Sequence, residues 1–536
     1  MTHKPTLVLL LLLFSLKVHA QSLPDSTIAK IDKLLSKWAT DSTPGCAAGI
    51  IRDTQLIYAK GFGLSNLETK MPVTPSSVFY MCSVSKQFTG YAIALLIKEG
   101  KINPDEKIQT YLPWLSNFNG QKITVSHLLH HTSGIRDDIW LSEFYGLGSD
   151  GMLTEDQAIR LIQKQRTLNF TPGEKFSYSN TNYVLLAEII KSVTGKTLAA
   201  FADSAIFKPL GMRSTAFVDD PATIIPNRAL SYENNKNATQ NVYTLGDGGL
   251  FTNVNDMAKW AANFYKAPST LMTTPGKLND STSITYAMGI DVLPDRGNKR
   301  FIHNGGLAGY RTLIMIYPDL KLGLFIFGNG GDGDVTNKLY QIAELLVPDH
   351  SEKKPTPASP TIQINNPGEL KKFTGTYIAD NGYKVTIINK DEKLYLNGNM
   401  ELAAEADNVF HLAARPSVKY TFSANTAIFI SPVLPKPLTL KKIKDTAPTA
   451  LAQYTGKYWS DEVEAYFIIT LKDNKLWIND KYHDPVEITL AGTEHLFTGY
   501  GFLAHVIVTR NKNGTITGFE LHSGNNANLF FNKTKM

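Results

Sequence analysis

Ser83 and Lys86, in the stretch "CSVSKQF", are spaced for acyl transfer. A hydroxyl is a weak nucleophile until a neighbouring base takes its proton, and an amine three residues on along a helix lies on the same face and within reach. The bland alternative is a serine N-cap followed by a solvated first-turn lysine, and the spacing alone does not separate the two. Two further stretches offer partners. "PGEKFSYSNTNY" sets Tyr178 and Asn180 between a Pro-Gly turn and a helical run, and "HNGGLAGY" sets His303, Gly305 and Gly306 at the end of an apparent strand.

The elements around these residues would have to bring them together. "SVSKQFTGYAIALLIKEG" reads as one largely apolar helix from Ser83, ended by Gly100 as its C′ residue. Its N-terminus would supply free N–H groups and a positive field where an oxyanion forms, and burial would favour a neutral lysine. "GCAAGIIR" and "QLIYAKGFG" read as a hairpin turning at Asp53-Thr54. "FIHNGG", "YRTLIMIYP" and "LGLFIFGN" read as three consecutive antiparallel strands, and "DVTNKLYQIAELLV" as a closing helix. Two strands early, helices in the middle and three strands late predict an α+β domain over 21–347, its antiparallel sheet assembled from both ends of the segment.

Residues 348–368 are proline-rich and read as a linker. Beyond them lies an internal repeat: "LKKFTGTYIADNGYKVTIINKDEKLYLNG" matches "LAQYTGKYWSDEVEAYFIITLKDNKLWIND" at an offset of 81 to 82 residues. Tyr377 aligns with Tyr458, and Leu394-Tyr395-Leu396-Asn397 with Leu476-Trp477-Ile478-Asn479. Short alternating strands in each copy predict two small antiparallel β-barrels or half-barrels, over 369–445 and 446–536. The aromatic residues Tyr377, Tyr395, Tyr458 and Trp477 are assigned to cores and cross-strand pairs, with glycan binding as the minority reading.

S-x-x-K at Ser83, Y-x-N at Tyr178 and H-x-G at His303, in that order, resemble the three elements of the serine β-lactamase and penicillin-binding protein superfamily. The resemblance is to its class C-like branch, which also holds D-aminopeptidases, DD-peptidases and esterases. "ITVSHLLHHTSGI", "FKPLGMRST" and "GDGGLFTNVNDMAKW" resemble its framework segments. The resemblance covers roughly Ser26 to Val347, and the repeats resemble the lipocalin-like barrels appended to D-aminopeptidase-type members. It implies a serine hydrolase in which Ser83 is acylated and the Lys86–Tyr178 pair handles its proton. Asn180 would bind the substrate's amide side, the N–H groups of Ser83 and Gly306 would form the oxyanion hole, and Gly305 would leave room beside the strand.

The third element departs from the β-lactamase pattern, where lysine usually stands. A histidine at 303 is mostly neutral at pH 7 and a weaker anchor for a free carboxylate. That tilts the implied substrate toward D-amino-acid peptides, amides or esters, with a β-lactam as the alternative and peptidoglycan as a polymeric partner. Arg311 could replace the missing cation if its strand faces the cleft; as a surface residue it would only form an ion pair. A non-enzymatic alternative is a penicillin-binding or wall-binding sensor that deacylates slowly.

Bulk properties exclude other classes. The 536 residues carry 54 Lys and Arg against 48 Asp and Glu, a formal net charge of +6, too mild and too dispersed to be a nucleic-acid footprint. "MTHKPTLVLLLLLFSLKVHA" reads as a secretory leader cut after Ala20, which predicts a periplasmic or secreted protein with no transmembrane anchor. Cys46 and Cys82 are too few for a disulfide scaffold and read as buried small residues, though one bridge would be possible. His127, His130 and His131 in "HLLHHTSG" lack the acids or cysteines of a metal site, so neither metal nor cofactor is expected. "GDGGLF" lacks a phosphate-loop ending and reads as a turn near the cleft. Asp256 reads as a first-turn helix acid.

Overall fold

The computed structural model describes residues 22–534, apart from 148–150, 239, 267–269, 333, 352–366, 381, 432–433, 435, 445–449 and 524–525. The leader and most of the proline-rich linker therefore lie outside the described residues.

Strands β1 (Cys46–Arg52) and β2 (Gln55–Phe62) form the expected hairpin, and Asp53 and Thr54 both take positive φ at its turn. Late in the same domain come β3 (Asp291–Val292), β4 (Phe301–Leu307), β5 (Tyr310–Tyr317) and β6 (Leu322–Gly328). The six make one antiparallel sheet in the order β3-β4-β5-β6-β1-β2, so the N-terminal hairpin completes the edge that the C-terminal strands leave open. Both faces are covered, and strand alternation sorts the side chains between them. Ala48, Ile50, Leu324 and Ile326 face α1 (Asp25–Leu35) and the closing helix Asp334–Leu346. Ala47, Ile51, Phe325 and Phe327 face the helical middle, which includes α2 (Lys86–Lys98) and α3 (Asn180–Thr194). The chain is an α+β domain with helices on both sides of its sheet, followed by two β modules.

Each module is a closed eight-stranded barrel, the first running from Gly375–Ala379 to Leu438–Lys442 and the second from Gly456–Ser460 to Asn526–Thr534. Closure pairs every edge, which a half-barrel would leave exposed. The repeat has a physical counterpart in each: the hydroxyl of buried Tyr377 donates to Phe373 O at 3.0 Å, and that of Tyr458 donates to Tyr454 O at 2.6 Å. In the aligned segments Leu394 and Leu396, like Leu476 and Ile478, fill the interiors. Tyr395 and Trp477 stand half-buried on the other side of their strands, where Tyr395 opposes Glu401 and Trp477 opposes Glu487.

The second barrel shares a hydrophobic core with the helical middle. Phe144 sits against Phe467, Phe502 and Phe531, with ring centroids 5.9, 5.2 and 5.8 Å away. Fully buried Arg136 donates to Ala527 O and Asn528 O and pairs with Glu462 at 2.8 Å. A buried guanidinium requires such complete satisfaction, and here the barrel supplies much of it.

Candidate active site

The Ser83 segment is more constrained than a plain helix start. Cys82–Ser85 is a 3₁₀ turn and the α-helix begins at Lys86, so Ser83 is no N-cap of α2. Cys82, immediately before it, has φ 51°, a left-handed conformation that costs a non-glycine residue on the order of 1–3 kcal/mol and here turns the chain sharply. Surrounding elements hold that turn: Met81 N donates to Leu250 O at 2.8 Å and Thr312 Oγ1 to Met81 O at 2.9 Å. Gly100, at φ 70°, follows the end of the helix as expected.

Lys86 is completely buried. Its Nζ lies 3.3 Å from Ser83 Oγ, 2.7 Å from Asn180 Oδ1 and 2.8 Å from the carbonyl of Asp247. The last two partners only accept. Both therefore receive N–H bonds from the amine, and Ser83 Oγ is the third oxygen beside it.

Tyr178 reaches the same point from the loop before α3. Its ring lies 4.2 Å, centroid to centroid, from that of His131, and Lys86 Nζ sits 4.8 Å from its centroid. The hydroxyl is enclosed near Lys86 and Ser83 without a hydrogen bond of normal geometry. Burial pushes the phenol's pKa up while Lys86 pulls the other way, and burial wins. Tyr178 is therefore a phenol at neutral pH, able to donate.

Asn180 opens α3. Its N and Nδ2 donate to Asp137 Oδ2 at 2.7 and 2.9 Å, which orients its Oδ1 toward Lys86. Buried Asp137, Asp138 and Asp247 lie near this point, with Glu155 farther out on Leu245 N. Burial pushes the Asp137, Asp138, Asp247 and Glu155 carboxyls up, and the nearby Lys86 pulls Asp137 and Asp247 down.

Strand β4 lies against the Ser83 turn. A Cβ on Gly305 would come within 2.6 Å of both Met81 O and Thr312 Oγ1, so only glycine permits the approach; at Gly306 the nearest atom would be Arg311 Cδ at 3.6 Å. His303 is 5% exposed, its Nδ1 donating to Asn304 O at 2.7 Å and its Nε2 accepting from Tyr286 Oη at 2.9 Å. Burial and the nearby Lys86 push its pKa down to about 4. The ring is neutral at pH 7 and has no N–H left for a ligand. Arg311 donates to Tyr310 O at 2.8 Å and Gly331 O at 3.3 Å and lies 3.7 Å from Glu233.

Ser83, Lys86, Tyr178 and Asn180 thus converge, with His303, Gly305 and Gly306 beside them. The three histidines of "HLLHH" do separate work. His127 Nδ1 accepts from Thr124 N in a helix cap, His130 Nδ1 contacts Ser126 O, and His131 lies under Tyr178. Cys46 and Cys82 are buried and free.

Sequence reading missed Asp137, the Asp247 carbonyl, His131 and Tyr286. "GDGGLF" was legible as a turn near the cleft, but a backbone carbonyl has no residue signature. Asp137 gave no signal beyond lying after "HTSGI".

A Ser–Lys–Tyr cluster around a buried lysine, set between an antiparallel sheet and a helical layer, is the arrangement of a serine hydrolase class. The profile of the Beta-lactamase family matches residues 30–347, and the chain belongs to that family and so to the serine hydrolases. The D-aminopeptidase of Gluconobacter oxydans (strain 621H) is 27% identical over 457 residues, covering 82% of this chain and 84% of its own length. Penicillin-binding protein 4* of Bacillus subtilis (strain 168) is 26% identical over 408 residues, 69% of this chain and 89% of that protein. The octameric penicillin-binding protein homologue from Pyrococcus abyssi is similar in fold, with a TM-score of 0.53 at 24% identity over 78% of this chain and 99% of that one. Among the described residues, no helix is long and apolar enough to cross a membrane.

Proposed function

We propose that the protein is an exported hydrolase that cleaves D-amino-acid amides, peptides or esters through an acyl-enzyme on Ser83. Ser83 Oγ attacks the carbonyl carbon and its proton passes to Lys86 Nζ. The carbonyl oxygen becomes an oxyanion facing the N–H groups of Ser83 and Gly306. As the tetrahedral intermediate collapses, the bond to the leaving amine or alcohol breaks and that group takes a proton from Lys86 through Tyr178. Water then attacks the ester, giving up one proton to the Lys86–Tyr178 pair, which returns it to Ser83 Oγ.

The observation that carries this reading is the placement of Lys86 Nζ between Ser83 Oγ and two acceptor-only oxygens. The substrate class is supported by the similarity to D-aminopeptidases and by His303, which as a neutral, fully bonded ring offers no cation to a free carboxylate. The apolar leader supports export.

The test is steady-state hydrolysis of D-alanine amide, p-nitrophenyl acetate and nitrocefin by the purified protein beside Ser83→Ala. Turnover of the amide or ester that Ser83→Ala abolishes is expected. Fast nitrocefin turnover would move the reading to a β-lactamase. A stoichiometric burst without turnover would indicate a sensor, and equal rates in both proteins would refute Ser83 as nucleophile.

A further inference from the structure

Asn180 does not set its own orientation. Its side-chain amide could face Lys86 with either end, and only Oδ1 can accept from the amine. Asp137 decides between them: a carboxylate accepts and never donates, so its bond from Asn180 Nδ2 turns Oδ1 toward Lys86. Asp137 Oδ1 meanwhile accepts from Trp140 N at 3.2 Å and caps the short helix Asp138–Ser142. Both oxygens thus receive N–H donors, a demand that a neutral amide at this position cannot meet in either rotamer.

The position of Asp137 is in turn set from outside the α+β domain. Its backbone N–H donates to Asn526 Oδ1 of the second barrel at 2.9 Å. On one side of it, Arg136 is held by Ala527 O, Asn528 O and Glu462. The start of the same barrel strand is tied back to the domain, since Ala527 N donates to Asn169 Oδ1 at 2.7 Å and Asn528 Nδ2 to Leu168 O at 3.0 Å. One chain of contacts runs from Asn526 through Asp137 and Asn180 to Lys86 and Ser83.

We propose that Asp137 is a positioning residue for acyl transfer, and that the second barrel completes the site by holding it. Asp137 touches no reacting atom; it orders Asn180, which orders Lys86. The barrel is then a permanent part of the catalytic unit, joined by a shared core, and not an appended binding module. The inference rests on the acyl-enzyme reading above.

The test uses the full chain and p-nitrophenyl acetate, with wild type, Ser83→Ala, Asp137→Asn and Asn526→Leu compared. Asp137→Asn is expected to lower kcat about 10²-fold, and Asn526→Leu about tenfold, since small displacements of reacting groups cost rates of this order. KM should stay within about threefold, as expected for an interaction that serves the chemical step and not binding. A purely structural role would instead reduce the folded fraction, seen by circular dichroism, and kcat would recover on cooling. Wild-type kcat in Asp137→Asn, or recovery at a temperature where it is fully folded, overturns the proposal. Should Asp137→Asn not fold, Asn526→Leu decides, because it leaves the carboxylate in place; wild-type kcat there removes the barrel's role. A wild type no faster than Ser83→Ala refutes the acyl-enzyme reading itself, a distinct outcome.

Discussion

Lys86 Nζ lies 2.7 Å from Asn180 Oδ1 and 3.3 Å from Ser83 Oγ, so the amine is held by an acceptor while it faces the Ser83 hydroxyl. Lys86→Met keeps much of the buried volume and removes the proposed base. Turnover of p-nitrophenyl acetate should fall by about 10³-fold or more, near the upper range for losing a general base. Steady-state kinetics beside Ser83→Ala checks this.

Tyr178→Phe separates chemistry from stability. The enclosed hydroxyl lacks a well-formed hydrogen bond, and a buried polar group in that state costs about 1–3 kcal/mol, so its removal should leave Tm unchanged or raised. On the proposed mechanism the variant cannot relay a proton to the leaving group, and kcat for an amide should fall about 10²-fold. A large drop in Tm would contradict the geometry.

Gly305 and Gly306 should respond differently to alanine. At 305 the new Cβ meets the Met81 carbonyl at 2.6 Å and must displace the Ser83 turn; at 306 it meets only the flexible Arg311 side chain at 3.6 Å. Gly305→Ala should lower Tm and lower activity about 10²-fold through misplacement of Ser83. Gly306→Ala should keep the wild-type Tm. Differential scanning calorimetry and kcat/KM together read both effects.

His303 makes the fold acid-sensitive. Its pKa is about 4 in the folded protein against an ordinary 6.5, so between those values the unfolded chain binds a proton that the folded one refuses. Its contribution to stability is complete above the unfolded value and declines as pH falls toward 4, by up to about 3 kcal/mol. His303→Gln should therefore lose less stability than wild type between pH 7 and 4 in urea titrations. The same variant should leave the shape of the kcat/KM profile unchanged from pH 5.5 to 8, because the wild-type ring does not titrate there.

Arg136→Met tests the docking of the second barrel. The substitution strands Glu462 and the carbonyls of Ala527 and Asn528 in a buried interface, and breaking a buried pair on one side costs about 3–5 kcal/mol. A cooperative melt displaced to lower temperature is expected; an unchanged Tm would mean that the shared aromatic core alone holds the barrel.

The sequence by itself determined the elements whose signals are local. Apolar alternation marked the strands of the sheet, the Ser–Lys spacing and apolar run marked α2, and the 81-residue repeat marked two equivalent β modules. The ordered motifs around Ser83, Tyr178 and His303 carried the family. Tertiary structure decided what depends on groups without a side-chain signature or on distant partners. The 3₁₀ turn at Ser83 arises because β4 and Thr312 hold Met81 and Cys82, not from helix propensity. His303 reads as a weak anchor in sequence, yet burial against Tyr286 leaves it neutral and fully bonded. Closure of the barrels, the Asp247 carbonyl on Lys86 and the hold of Asn526 on Asp137 all join segments far apart in the chain. Periodicity reports which face of an element is buried; only packing decides what it is buried against.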